Sequence, residues 1–253
     1  MILTFPLYPI LDLDTCHKHG IVPEELLDLW NRKNINLYQL RAKGISEKEY
    51  FELSCFLKNK FPDMQLIAND FIRPVLENSE IFSGIHLGQD DVKELSMENF
   101  LMLEKKCMED GFIAGISTHN AIQLEKAYTE ILQSYKSNAD SNGSLRWSYI
   151  AIGPVARTVS KPGGKDPVIS DRERAVIFQK IFKMKLHFKN LNRSFPETVM
   201  IGGLEPEKFS ALYPEILYTE YKFLPIPAII SSAVNMNLID LWMQCMKEYQ
   251  DCA

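Results

Sequence analysis

The polar residues of this chain whose types and spacing could do chemistry fall in short stretches that look like strand ends. In Gln39-Leu40-Arg41-Ala42-Lys43 the strand period of two puts Gln39, Arg41 and Lys43 on one side and Tyr38, Leu40 and Ala42 on the other. Two cations therefore converge. In a parallel sheet covered by helices a charged outer face hardly exists, so the pair reads as an anion site at a strand end. Asn69-Asp70 and His86-Leu87-Gly88-Gln89-Asp90-Asp91 close the next two candidate strands. Adjacent strands lie about 4.8 Å apart, which lets Asp70 and Asp91 share one cation. Oxygen-only ligation by few protein groups suits Mg²⁺, which keeps several waters and is completed by substrate phosphates. An anion site beside such a cation implies a diphosphate substrate. Taken singly, each Asp is also a common turn or N-cap residue.

Further stretches add hydroxyls and backbone. Gly115-Ile116-Ser117-Thr118-His119 offers Ser117, which could equally cap the following helix. His86 reads either as support for the site or as a buried, hydrogen-bonded structural histidine. Gly153-Pro154 is followed by Thr158, Ser160 and Lys161, so two hydroxyls and a cation come soon after a strand. In Ile201-Gly202-Gly203 the glycines permit close backbone approach to a phosphate. Other chemistries lack their signatures: GxGxxG after a strand, GxxxxGK[ST], HExxH and GxSxG are all absent. His17 and His19 sit in a stretch, Cys16-His17-Lys18-His19, that reads as an exposed loop rather than a metal site.

These stretches need a scaffold, and the order of β-rich and helical runs supplies one. Strands are expected over residues 7–13, 35–41, 65–69, 84–87, 112–117, 148–153, 198–201 and, least regularly, 223–230. Between them lie amphipathic runs: Pro23 suits a first helical turn, with Leu26, Leu27 and Trp30 on one face before Asn31. Leu124, Tyr128, Ile131 and Tyr135 form one helical stripe and Ile177, Ile181, Met184 and Phe188 another, with Lys180 and Lys183 on the solvated side of the second. Eight strand-helix pairs in 253 residues fit a closed (β/α)8 TIM barrel of the α/β class, with one domain spanning residues 1–253. The polar run 134–144 is then a loop inside that domain, and 160–166, with its Gly-Gly and Pro, a mobile loop or surface turn. The weak point is the eighth strand, because Pro225 and Pro227 each lack a ladder donor.

Composition narrows the setting. With 28 Lys+Arg against 33 Asp+Glu, a net charge of −5 and 46% hydrophobic residues, the chain is an ordinary globular sequence with no surplus of clustered cations for nucleic acid. Five widely spread cysteines without a CxxC point to a reducing compartment. The apolar start is broken by Pro6, Pro9, Asp12 and Asp14, which suits neither a signal peptide nor a membrane span. A cytoplasmic protein with no nucleic-acid or membrane partner is expected; a homo-oligomer is left open.

Taken together, Gln39-Leu40-Arg41 with Lys43, Asn69-Asp70, His86 to Asp91, Gly115-Ile116-Ser117, Gly153-Pro154 with Thr158, Ser160 and Lys161, and Ile201-Gly202-Gly203 resemble the ordered motifs of the thiamine-phosphate synthase family, over residues 7 to 234. The resemblance implies a (β/α)8 transferase of thiamine biosynthesis. Such an enzyme joins 4-amino-2-methyl-5-hydroxymethylpyrimidine diphosphate to 4-methyl-5-(2-hydroxyethyl)thiazole phosphate, giving thiamine phosphate and diphosphate by a dissociative, Mg²⁺-assisted substitution. It also implies roles. Arg41, Lys43, Asn69 and Lys161 hold the diphosphate, with the three cations easing its departure. Asp70 and Asp91 bind Mg²⁺. Gln39 and Ser117 contact the pyrimidine region, while Thr158, Ser160 and the backbone at Gly203 and Ser232 hold the thiazole phosphate. The chain departs from the family pattern at Arg157, where proline is usual, at Ser160, where threonine is commoner, and over 219–228, which replaces a glycine-containing approach to the last strand. A related thiazole tautomerase, or a regulatory protein that binds thiamine phosphate without catalysis, are the alternatives these departures leave standing.

Overall fold

Short runs rich in Ile, Leu and Tyr form eight parallel strands that close into a barrel in sequence order. The computed structural model describes residues 7–109, 111–135, 145–156, 168–212 and 225–252. The strands are β1 (Tyr8–Asp12), β2 (Leu37–Arg41), β3 (Gln65–Asn69), β4 (Gly84–Leu87), β5 (Ile113–Thr118), β6 (Tyr149–Ile152), β7 (Glu197–Met200) and β8 (Ile226–Ile229). All eight lie within the expected spans, apart from one-residue shifts at the end of β5 and the start of β7. Among the described residues the helices are α1 (Leu13–His19), α2 (Pro23–Arg32), α3 (Glu47–Lys60), α4 (Ile72–Glu77), α5 (Gln89–Lys93), α6 (Met97–Lys106), α7 (Ala121–Ser134), α8 (Asp171–Asn190), α9 (Pro206–Ser210) and α10 (Met236–Cys252).

Strand alternation sorts the side chains into two cores. Tyr8, Ile10, Leu37, Ile67, Ile113 and Tyr149 pack together inside the barrel, whereas Leu11, Leu40, Leu66 and Ile85 point outward to meet Trp30, Leu57, Tyr128, Ile131 and Trp242 of the helices. Each fully buried Leu or Ile contributes about 1.5–3 kcal/mol, so the helical sleeve and the barrel hold one another in place. The parity has a functional consequence. Continuing each inward row to the carboxyl ends of the strands reaches Asp12, Gln39, Arg41, Asn69, His86 and Ser117, which share the parity of the inner core.

Two expectations are corrected or refined. The stretch holding His17 and His19 is a helix, α1, not a loop: the Asp12 side chain accepts from Thr15 N at its start, and Gly20 ends it in the left-handed region at φ 64°. Both histidines are exposed, as expected. The eighth strand does form. It is four residues long and pairs with β1 at Tyr8↔Ala228 and Pro9↔Ile229, and with β7 at Val199↔Ile226 and Met200↔Pro227. Successive residues of a strand bond to opposite neighbours, so Pro227 removes a donor on one side only. Of the expected loop at 134–144, Ser134 instead ends α7 and Tyr135 is its C-cap, while residues 136–144 and the whole of the expected loop at 160–166 lie outside the described residues. Among the described residues no helix is long and apolar enough to cross a membrane.

Candidate active site

The polar residues expected from sequence on β2 to β5 meet at the carboxyl ends of these strands. On β2, Gln39 is buried and its Nε2 donates to Asn69 Oδ1 on β3 at 2.7 Å, tying two expected substrate contacts together. A tyrosine from α3 braces this corner: Tyr50 Oη donates to Leu40 O at 3.0 Å and accepts from Asn69 N at 3.2 Å. Helix α3 is itself started by a capping box between Ser46 and Glu49, so the brace is set by local sequence.

Arg41 has a partner that the sequence reading missed. Asp12, at the end of β1, is buried; its Oδ1 accepts from Thr15 N at 2.8 Å and Thr15 Oγ1 at 2.7 Å, and its Oδ2 forms an ion pair with Arg41 Nη1. One carboxylate thus caps α1 and aims the guanidinium. The signal was present as Asp12 followed three residues on by Thr15 at the end of a strand.

Lys43 lies just past β2 and forms an ion pair with Asp70. Asp70 adopts φ 69°, a left-handed conformation in which Asp is over-represented but still strained, and its N–H donates to His86 O at 3.1 Å. Asp91, on the short α5, accepts from Gly88 N at 2.6 Å. Burial, and then the charge of Asp70, push the Asp91 carboxyl above the usual carboxylate range. The neighbouring Asp90 is different: it is exposed and paired with Lys93. Among the described residues no group of three or more His, Cys, Asp or Glu could hold a metal. Two facing carboxylates nevertheless fit Mg²⁺, which needs one or two from protein when phosphate oxygens and water supply the rest.

Ser117 is released for the site because Asn120, not Ser117, caps α7, accepting from Ile122 N and Gln123 N at 3.0 Å each. Gln89 Nε2 donates to Ser117 O at 2.6 Å. His86 lies beneath it, bonded through Nε2 to Ser117 Oγ at 2.8 Å and through Nδ1 to Tyr149 Oη at 2.9 Å. On the β6 to β8 side less of the site is described. Thr158, Ser160 and Lys161 lie outside the described residues, as does the side chain of Ser232, whose backbone belongs to a 3₁₀ turn, Ser231–Val234. Gly202 and Gly203 follow β7 with φ 96° and 63°, and a Cβ on Gly202 would stand 2.7 Å from Pro154 Cβ, so this turn needs glycine for both conformation and space. A cavity of about 230 Å³ lies elsewhere, among the residues at the amino ends of β5 to β7, lined by Phe112, Trp147 and Glu197 and by none of the expected site residues.

Comparison with known proteins identifies the family to which the chain is similar. A sequence model of the family described as thiamine monophosphate synthase matches residues 7–213. The thiamine-phosphate synthase of Shouchella clausii is 33% identical over 144 residues, 56% of this chain and 57% of that protein. That of Halalkalibacterium halodurans is 33% identical over 161 residues, 60% of this chain and 65% of that protein. This chain thus spans roughly three fifths of the length of these curated relatives. Among solved structures, thiamine phosphate pyrophosphorylase from Pyrococcus furiosus has a TM-score of 0.56 at 17% identity, covering 96% of each chain, a likeness of fold.

Proposed function

This chain belongs to the thiamine monophosphate synthase family, and we propose that it is a thiamine-phosphate synthase. It would couple the pyrimidine diphosphate to the thiazole phosphate and release diphosphate. The observation that carries this reading is the meeting, at one rim, of Arg41 and Lys43 with Asp70 and a half-buried Asp91 whose proton affinity is raised. Such a rim suits a leaving group that gains negative charge as its carbon-oxygen bond breaks.

In this reading Arg41, Lys43 and Asn69 hold the diphosphate, joined by Lys161, while Asp70 and Asp91 hold Mg²⁺. When bound, Mg²⁺ supplies charge neutralisation on the diphosphate oxygens. The cations act without a general base: they stabilise the departing diphosphate, and the thiazole nitrogen captures the pyrimidine methyl cation left behind. Gln39, fixed on Asn69, and Ser117 orient the pyrimidine, and Thr158, Ser160 and the backbone at Gly203 and Ser232 hold the thiazole phosphate. Fixing both substrates in register accounts for much of the rate, since positioning replaces a collision between free molecules.

The test is formation of thiamine phosphate from the two substrates with and without Mg²⁺, in wild type and in Asp91→Ala. Product with wild type and Mg²⁺, and none with chelator or with the variant, is expected. Full activity in excess chelator rejects the metal role. Binding of thiamine phosphate with no turnover marks a regulatory protein, and isomerisation of the thiazole carboxylate phosphate without coupling marks a tautomerase.

A further inference from the structure

Four hydroxyl and imidazole groups form a line from the barrel interior to its mouth. Tyr8 Oη and Tyr149 Oη are 2.6 Å apart, Tyr149 Oη and His86 Nδ1 2.9 Å, and His86 Nε2 and Ser117 Oγ 2.8 Å. Gly115 makes this line possible. It is the register partner of both His86 on β4 and Tyr149 on β6, and a Cβ on it would come within 1.9 Å of the Tyr149 ring. With no side chain on β5 at that layer, His86 and Tyr149 bond across the gap and stack, with ring centroids 5.6 Å apart and planes 12° from parallel.

Counting protons gives the line a direction. Its three links each need one proton, and the groups of Tyr8, Tyr149, a neutral His86 and Ser117 own one apiece. If Tyr8 donates to Tyr149, Tyr149 to Nδ1 and Nε2–H to Ser117, the proton left over is that of Ser117, which is half-exposed at the mouth. Run the other way, the spare proton is that of Tyr8, which is 2% exposed and has Tyr149 as its hydrogen-bond partner among the described residues. A buried hydroxyl proton without an acceptor is disfavoured, so the first arrangement is the one the burial of Tyr8 favours. Burial also raises both phenol pKa values, so each tyrosine stays a donor.

We infer that this one-way chain fixes the Ser117 hydroxyl as a donor toward the substrate, making His86 and Tyr149 positioning residues and committing that point of the site to a hydrogen-bond acceptor. The inference rests on the reading of Ser117 as a substrate contact. The acceptor could be a diphosphate oxygen or a pyrimidine ring nitrogen, and the experiment separates the two.

The direction is tested first, without any substrate, by ¹⁵N NMR of histidine-labelled wild-type protein at neutral pH. The expected His86 signal is the neutral ring with Nε2 protonated and Nδ1 bare. The opposite tautomer, or an imidazolium, overturns the inference whatever reaction the protein catalyses. Calorimetry with inorganic diphosphate and, separately, with the hydroxymethylpyrimidine then reads the ligand. In Ser117→Ala one of the two affinities should fall about tenfold, the effect of one hydrogen bond. Tyr149→Phe should weaken the same ligand, and combined with Ser117→Ala should add nothing further. His86→Gln, whose Nε2 can still donate to Ser117, should keep more of that affinity than His86→Asn. No change in either affinity across folded variants overturns the substrate half of the inference. A correct tautomer and intact ligand binding in a protein that makes no thiamine phosphate would sink the synthase reading alone.

Discussion

Two ion pairs, each an aspartate with a basic side chain of the β2 end, sit a few residues apart on this rim and differ in nearly every other respect. Arg41 pairs with Asp12 of β1, and Lys43 with Asp70 of β3. The Asp12 and Arg41 side chains are 1% and 14% exposed; those of Asp70 and Lys43 are 23% and 52%. In the first pair the low local dielectric strengthens the attraction, and the carboxylate spends its second oxygen on capping α1. In the second, water competes for both charges, and the lysine can leave Asp70 for another anion at little cost. The rim is therefore graded from a fixed guanidinium near β1 to an exchangeable ammonium and two crowded carboxylates near β3 and β4. On the proposed reading, a site that grips a diphosphate and also admits a metal needs both kinds of charge.

The sharpest way to break that contrast is Asp12→Ala. Removing one partner of a buried pair leaves Arg41 uncompensated, and a loss of about 3–5 kcal/mol in urea unfolding is expected. Asp12→Asn keeps an acceptor for Thr15 N and should recover about 1 kcal/mol of this through the cap. A loss below about 1 kcal/mol in the alanine variant would put the Asp12 pair in the same class as the Lys43 pair.

The complementary substitution is Lys43→Met, which should change stability by no more than about 1 kcal/mol. If the synthase reading holds, single-turnover coupling should nonetheless slow by about 10²- to 10³-fold, the usual effect of deleting one group that stabilises developing charge. Equal loss of stability in Lys43→Met and Asp12→Ala would erase the gradient.

How much of this was readable beforehand follows from which interactions are local. Strand alternation alone puts Gln39 and Arg41 on one side, and the barrel turns that side inward. The carboxylates were legible because Asp70 and Asp91 each follow a recognisable strand. Asp12 is not legible in this way: in an apolar opening it reads only as a charge that a membrane span would avoid, and its partner lies 29 residues away. Helix α1 was missed for a related reason, since LDTCHKH has no apolar stripe and depends on its two caps. The Tyr8 to Ser117 line was beyond sequence reading because it joins four strands and rests on what Gly115 lacks.

The smallest expected effect concerns Asp91 and is a matter of pH. Its carboxyl is raised in the folded protein by burial and by the charge of Asp70. Between the ordinary carboxylate value and that raised one, the native state binds more protons than the unfolded chain, so in metal-free buffer stability falls as pH rises through this window. Asp91→Asn removes the titration but keeps an oxygen for Gly88 N. Without divalent metal the variant should therefore melt at or above the wild-type temperature near neutral pH. The difference should vanish below about pH 3, where the wild-type carboxyl is protonated in both states. Added Mg²⁺ should raise the melting temperature of wild type and leave that of the variant unchanged, because only a ligand held by the native state shifts the equilibrium. If the metal-free variant is instead the less stable protein near neutral pH, Asp91 is compensated in the fold as Asp12 is. The β3 and β4 end of the rim would then be as fixed as the β1 end.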